Sequence, residues 1–336
     1  MKGRRVVLGE WRGREAAALM VDGRLDDLIV DTDAPRPGTI YRARPDRPMK
    51  GQGGLFLSTP EGRVFLRQTK GVRTNAPLLV QITGYAEPGK APPVTSRLAL
   101  KGRFAVLTPG APGVNPSRRI RDPDRRAALA ALAEGVAPSG TGVILRSAAA
   151  SADEDAVVDE LRALAAALTQ ILGDGGAAPA LLLEGDGPHA LAWRDWTEPA
   201  EVAHGADAFE RLDVLDEIAA LSDPVTPLAG GARMSVEPTR ALVSVDVDTG
   251  TDTSPAAALK ANLAMARALP RALRLRGLGG QVVVDPAPSP KRDRKQIEGA
   301  LKAALRADPV ETALLGWTAL GHIELQRTRA RPPLSL

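Results

Sequence analysis

The sequence predicts a multidomain α/β protein, on three observations. A chain of 336 residues that is 44% hydrophobic can bury more than one core, its first hundred residues read as short strands punctuated by Gly and Pro, and a strand–helix–strand pattern stands near residues 241–285. Length alone suggests two or three globular units. No run of 18 apolar residues is available to span a bilayer, and residues 1–10 carry Lys and Arg without an apolar signal core behind them, so a cytoplasmic location is expected. With no cysteine the chain has neither disulfides nor thiolates for structural zinc. His189, His204 and His322 share no ligand-like spacing, which argues against a zinc-based or histidine-based mechanism.

The net charge of +4 hides a separation along the chain. Residues 151–220 hold 16 Asp/Glu against 3 Arg/Lys, whereas residues 260–336 hold 14 Lys/Arg against 6 Asp/Glu. A basic surface of the second kind attracts polyanions, although charge alone equally describes an unevenly charged solvated surface.

Residues 1–37 read as a meander of short strands, 5–8, 16–21 and 28–30, with Gly23 and Pro35 at turns. The β pattern continues from 38 to about 98 and suits a small barrel. Five of the six Phe and Tyr residues fall between 41 and 104, among Arg42, Arg44, Arg63, Arg67 and Arg73. Rings among guanidinium groups on a small barrel suit single-stranded nucleic acid, because bases stack on rings while arginines follow phosphates. The same spacing also fits Phe56 and Phe65 as core residues. A helix is predicted over 151–172, with Ser151 and Glu154 as a capping box and Val157, Val158, Leu161, Leu164, Leu168 and Ile171 as its apolar stripe. The Gly/Ala/Pro run 173–180 then predicts a loop before a strand at 181–183.

Residues 241–248 alternate, with Val243, Val245 and Val247 on one face and Ser244, Asp246 and Asp248 on the other. Ser254-Pro255 then signals a helix running to about Arg276, Gly277 stops it, and a strand is expected over 281–285. In a βαβ crossover Asp246 and Asp285 both lie near carboxyl ends of neighbouring parallel strands, where open α/β sheets bind ligands. Two carboxylates without adjacent basic residues favour a hard divalent cation such as magnesium, which can promote attack of water on a phosphodiester. Spacing alone leaves open a second reading, in which the two aspartates cap turns at strand ends. Lys260, Arg267, Arg271 and Arg274 fall near one helical face that could follow a phosphate backbone or simply face solvent, and Pro270 is expected to kink that helix. Lys291, Arg292, Arg294 and Lys295 add a further basic group. Residues 84–90 nearly spell a phosphate-binding loop, but Ala91 stands where Ser or Thr is required and Pro88 opposes it. The glycines at 277–280 precede a strand, which removes a dinucleotide fingerprint.

From about residue 38 onward the sequence resembles the ribonuclease E/G family. The resemblance rests on 241–250 (ALVSVDVDTG), 273–280 (LRLRGLGG), 282–285 (VVVD) and 318–329 (TALGHIELQRTR), which follow the order of that family's catalytic-domain motifs. It implies a DNase I-like catalytic domain over 241–336, an RNase H-like support from 1–37 with 197–240, an OB-type RNA-binding barrel over 38–98 and a 5′-phosphate sensor region over 99–196. It implies Asp246 and Asp285 as magnesium ligands, with Asp248 as an assisting carboxylate. Tyr41, Phe56, Phe65 and Lys90 match positions of the RNA-binding barrel, the two phenylalanines and the lysine being those that contact RNA. Gly102, Val106, Arg146 and Ser147 match the pocket that senses a 5′ monophosphate, Ser147 replacing the usual threonine but keeping the hydroxyl.

The sequence also departs from that pattern. Asp248 stands where the family has Asn, Pro288 where it has a second acid, Ala264, Met265 and Arg267 where it has acids on the helix, and Arg240 where an acid precedes the strand. The chain stops where the family's zinc-linking segment would begin, so any homo-oligomer is expected to form without zinc. The expectation is a magnesium-dependent endoribonuclease acting on single-stranded RNA, with water as the attacking group and a 5′ monophosphate as stimulus. The rival is an RNA-binding protein that kept the fold while its metal site drifted.

Overall fold

The computed structural model describes residues 3–46, 53–69, 76–87, 89–205 and 207–334; Arg73 and Pro88 lie outside them. The chain divides into two compact units, one made of residues 1–30 with 200–336 and the other of residues 31–199. Among the described residues, no helix is long and apolar enough to cross a membrane.

In the first unit the predicted meander forms as strands Arg4–Trp11, Arg14–Val21 and Arg24–Val30, all antiparallel. A later strand, Glu201–His204, joins parallel to the first of them, Val6 opposite Val202. Helices Ala208–Arg211 and Val214–Ala219 bring Phe209, Val214 and Ile218 against Val7, Ala18, Leu25 and Leu28.

The same unit carries a six-stranded sheet in the order Val225–Pro227, Arg233–Pro238, Val243–Asp248, Gly280–Asp285, Ile323–Arg327, Thr312–Trp317. Val243–Asp248 and Gly280–Asp285 are parallel, joined by the helix Ala257–Leu275, so the expected βαβ crossover is present. That helix begins a few residues later than Ser254-Pro255 suggested, behind the uncapped Ala256. It runs as one helix through Pro270, whose missing N–H removes one rung of the ladder. Val243, Val245, Val247, Val282 and Val284 point into a core shared with Met265, Leu269, Leu273, Ile297 and Leu301. The last two come from the helix Arg294–Ala307, whose apolar positions also face this side.

The segment 273–280 closes the crossover helix and opens the next strand. Leu273 lies in the core, and Gly277 ends the helix with φ +64, its N–H donating to the Arg274 carbonyl (3.1 Å) while the Leu278 N–H donates to that of Leu273 (2.9 Å). This is a Schellman closure, which puts glycine at the left-handed position. A side chain at Gly277 would also collide with the Pro332 carbonyl. Arg274 belongs to neither of the two surfaces its spacing allows, a phosphate-following face or a solvated one. Its guanidinium is buried, bonded to Asp308 and to the Asp26 carbonyl (2.7 Å), with Nε 3.3 Å from Asp27. Arg271 likewise donates to the Leu25 carbonyl. Of the four basic residues, Lys260 and Arg267 are the exposed ones, and Lys260 pairs with Asp252 (3.3 Å).

In the second unit, strands Ile40–Pro45, Leu55–Thr59, Gly62–Leu66, Pro93–Thr95 and Leu78–Ile82 close a five-stranded barrel through pairing of the first with the last, Tyr41 opposite Val80. Tyr41, Ala43, Leu55, Leu57, Val64, Leu66, Val80, Ile82 and Val94 fill its interior. A second core lies between the sheet of Leu100–Lys101, Ala105–Pro109, Gly113–Pro116 and Thr141–Leu145 and the helices Pro123–Val136 and Glu154–Leu172. The longer helix starts at Glu154 rather than Ser151, because Asp153 caps it by accepting from the Asp155 N–H (2.9 Å). Val157, Leu161, Leu168 and Ile171 are buried on its inner face as their spacing predicts.

Asp308 bonds both Arg274 and Arg327 in a site where all three side chains are nearly inaccessible. Removing one partner strands the others without water, so Asp308→Ala is expected to cost about 3–5 kcal/mol of stability in urea unfolding, well above a surface substitution.

Candidate functional site

Asp246 and Asp285 are register partners at the carboxyl ends of the two parallel strands. Alternation fixes their direction: Val245, Val247 and Val284 are buried, so the aspartates between and after them point to the opposite, open face. Among the described residues Asp246 has no ion pair or side-chain hydrogen bond, and Asp285 has the His322 ring beside it, with Nε2 3.6 Å from its Oδ1. His322 arrives by the same sheet logic. Val284 is opposite Ile323 in the antiparallel pairing, which sets His322 next to Asp285 on the open face. The turn holding His322 is closed by the Thr318 N–H donating to the His322 carbonyl (2.8 Å) and the His322 N–H donating to Thr318 Oγ1 (3.1 Å). Sequence spacing had set this histidine aside, since its nearness to Asp285 exists only through strand pairing.

Asp248 shares the open face but is engaged elsewhere. It accepts from the Gly250 N–H (2.8 Å) and pairs with Arg233 (2.6 Å), and these two contacts, the backbone one first, hold its carboxyl below the usual carboxylate range. Asn262, on the crossover helix, lies beside the loop that follows Asp285. It is fully buried, donates to the Ala287 carbonyl (2.8 Å) and accepts from the Ala287 N–H (2.9 Å), so it fixes the loop leaving Asp285 and carrying Pro288. Among the described residues no group of three His, Asp or Glu side chains already converges as a metal cage.

On the barrel, Phe56 and Phe65 are cross-strand partners with ring centroids 5.2 Å apart and planes tilted by 55°. Their neighbours Leu55, Leu57, Val64 and Leu66 fill the barrel, so the rings lie on its outer side; the core alternative for them does not hold. Gly54 is buried beneath Phe65, and a side chain there would collide with the ring. Arg44, Arg63 and Arg67 are exposed around the two rings, Arg63 reaching Asp46 (3.2 Å). Arg42 is not part of this surface, being tied to Asp174 and to the Ala178 carbonyl (2.5 Å). Tyr41 is core and donates to Glu61 (2.5 Å); burial, then that carboxylate, pushes its hydroxyl pKa far up. Lys90 is exposed and paired with Glu87.

Gly102, Val106, Arg146 and Ser147 come together at one end of the second sheet. The Arg146 N–H donates to the Phe104 carbonyl (2.7 Å), its guanidinium to the carbonyls of Gly102 (2.6 Å) and Arg194 (3.2 Å) and to Asp195 (2.9 Å). Val106 stands opposite Ile144, two residues before Arg146, and Ser147 begins a short 3₁₀ turn. Glu160 accepts from the consecutive N–H groups of Arg103, Phe104 and Ala105 (2.7, 2.7 and 3.0 Å), which locks the loop after Gly102. Beside it the exposed Trp193 ring carries the Arg103 guanidinium 4.1 Å from its centroid. Asp195, shared by Arg146 and Arg194, is held below the usual carboxylate range by these two arginines despite the opposing effect of burial.

Comparison with known proteins matches residues 99–202 and 195–330 to the ribonuclease E/G family. The chain is similar to ribonuclease E of Nostoc sp., at 28% identity over 94% of this chain and 54% of the relative. It is similar to ribonuclease G of Escherichia coli, at 25% identity over 94% of this chain and 78% of the relative. A chloroplastic ribonuclease E/G-like protein of Arabidopsis thaliana is 26% identical over 79% of this chain and 31% of its own length. The chain thus spans about half the length of the Nostoc relative. With paired aspartates on neighbouring strands, a closed barrel and a family match over most of its length, the chain belongs to the ribonuclease E/G family.

Proposed function

We propose that this chain is a magnesium-dependent endoribonuclease acting on single-stranded RNA in the cytoplasm, with Asp246 and Asp285 holding the metal. The observation that carries this reading is the register of the two aspartates on an open sheet face in a chain of this family. The donor set fits magnesium, which keeps several waters and takes one or two carboxylates, so a three-residue cage is not required. Bound there, the ion supplies Lewis acidity for phosphodiester hydrolysis. The residues of the chain do the positioning: Asn262 holds the loop after Asp285, and Arg233 neutralises Asp248 so that its charge opposes an incoming phosphate less.

On this reading the six-stranded sheet with its helices is the DNase I-like catalytic domain, taking in the strands Val225–Pro227 and Arg233–Pro238 from the expected support segment 197–240, and the sheet of residues 4–30 with 201–204 belongs to an RNase H-like support. The barrel is the OB-type module, with Phe56 and Phe65 stacking bases and Arg44, Arg63, Arg67 and Lys90 meeting phosphates. Arg146 and Ser147, with Gly102 and Val106, receive a 5′ monophosphate once Asp195 yields the Nη2 group it accepts from, since a phosphate oxygen takes a charge-assisted bond from a guanidinium as a carboxylate oxygen does. The second reading, an RNA-binding protein with weakened cleavage, draws on the capture of Asp248 by Arg233 and on Pro288 in the loop after Asp285.

Three measurements test these assignments. Asp246→Asn is expected to lower magnesium-dependent cleavage of a 5′-monophosphorylated single-stranded RNA by about a thousandfold, equivalent to about 4 kcal/mol of transition-state stabilisation. RNA binding without cleavage by the unaltered chain would instead establish the second reading. Phe56→Ala and Phe65→Ala should each weaken single-stranded RNA binding by about tenfold in a filter or anisotropy titration while leaving the fold intact. Arg146→Ala should reduce the preference for a 5′ monophosphate over a 5′ hydroxyl by roughly tenfold, with the rate on the 5′-hydroxyl RNA unchanged.

A further inference from the structure

We propose that Trp193, backed by Arg103, stacks the base of the 5′-terminal nucleotide whose phosphate Arg146 grips, so that the pocket takes up a nucleoside 5′-monophosphate at the RNA end and not a phosphate alone. The inference rests on the 5′-phosphate reading of Arg146 above and deepens it.

The course of the chain explains the placement. The helix Pro188–Asp195 leaves the carbonyls of its last turn in need of donors from outside. Two arginines supply them: Arg103 donates to the Trp193 carbonyl and Arg146 to the Arg194 carbonyl (3.2 Å). The indole and the phosphate-gripping guanidinium are therefore tied to consecutive residues of one helix end, whose Cα atoms are about 3.8 Å apart. Within a nucleotide only the sugar separates the base from the 5′ phosphate, so a single terminal nucleotide can engage both.

The ring itself is prepared for stacking. Arg103 covers one face, with its guanidinium carbon 4.1 Å from the centroid, and its own backbone is fixed by donating to Glu160 (2.7 Å). Trp193 is nevertheless 67% exposed, and of the four tryptophans it is the exposed one, so the opposite face meets solvent. A base laid there completes a stack of guanidinium, indole and base, and any base serves because each has a π face. The charges agree with an anionic ligand. Burial lowers the Arg103 pKa, Glu160 opposes that, and the like charge of Arg146 adds to the lowering, a repulsion that a bound phosphate relieves.

The test is an anisotropy titration of the full chain, without divalent metal so that the RNA stays intact, against short single-stranded RNAs labelled at the 3′ end. Their 5′ ends carry a monophosphate or a hydroxyl, and their first residue carries a base or is abasic. In the unaltered chain the abasic residue is expected to weaken binding of the 5′-monophosphorylated RNA by about tenfold. Trp193→Ala is expected to bind the base-bearing RNA about tenfold less tightly and to treat the two first residues alike, whereas Trp193→Phe keeps most of the preference because a ring remains. Arg146→Ala is expected to lose the dependence on the 5′ phosphate, and thermal unfolding of each variant checks the fold. Equal binding of abasic and base-bearing 5′-monophosphorylated RNA, or a base preference that survives in Trp193→Ala, would overturn the role of Trp193 and leave the Arg146 reading standing. Equal binding of 5′-monophosphate and 5′-hydroxyl RNA by the unaltered chain would remove the Arg146 reading and this inference together.

Discussion

The buried ion network around Asp308 is the constraint on which the unit carrying Asp246 and Asp285 depends. Asp308 follows the helix Arg294–Ala307 and accepts from Arg274 on the crossover helix and from Arg327 at the end of the strand Ile323–Arg327 (3.0 Å). Asp27, nearly inaccessible on the strand Arg24–Val30, faces Arg274 at 3.3 Å and Arg331 at 3.0 Å. Charges taken this far from water cost several kcal/mol each unless they are paired, so these elements hold one arrangement in which every charge finds its opposite. That arrangement sets the crossover helix against the sheet and, with it, the parallel register that brings Asp246 beside Asp285.

From that register the open face follows by simple geometry. Valines alternate with polar residues along Val243–Asp248, and the buried valines bind the sheet to the helices Ala257–Leu275 and Arg294–Ala307. Once one face is packed, the carboxylates have nowhere to go but the other. Asn262 extends the same control past the strand end, because a buried amide that satisfies both backbone groups of Ala287 leaves the loop after Asp285 little freedom.

Arginines in this chain divide by the partners that hold them. Arg42, Arg271, Arg274 and Arg327 are held by backbone carbonyls and aspartates, Arg327 also by the Thr312 hydroxyl. Arg44, Arg63 and Arg67 surround the Phe56 and Phe65 rings on the outer barrel surface, where a planar cation beside an aromatic face suits bases and phosphates. Arg146 is intermediate: two backbone carbonyls and the half-exposed Asp195 hold it in place.

The sequence by itself determined whatever depends on local periodicity and short-range chemistry. The N-terminal meander, the apolar stripe of 154–172, the strand–helix–strand unit with its Gly277 stop, and the two aspartates on one face were all legible from residue order, since alternation and helical spacing act over a few residues. Helix starts were less legible, as several polar residues near 151–154 can cap and only the backbone course selects Asp153. The tertiary structure alone decided which charges are buried and which side chains from distant strands meet. Arg274 looks like a surface cation until Asp308, 34 residues on, turns out to be its partner. Phe56 and Phe65 could have filled the barrel until strand pairing put leucines and a valine inside instead. His322 acquires its place beside Asp285 only because the strand Ile323–Arg327 returns antiparallel to Gly280–Asp285, a contact set by long-range pairing that no local spacing encodes.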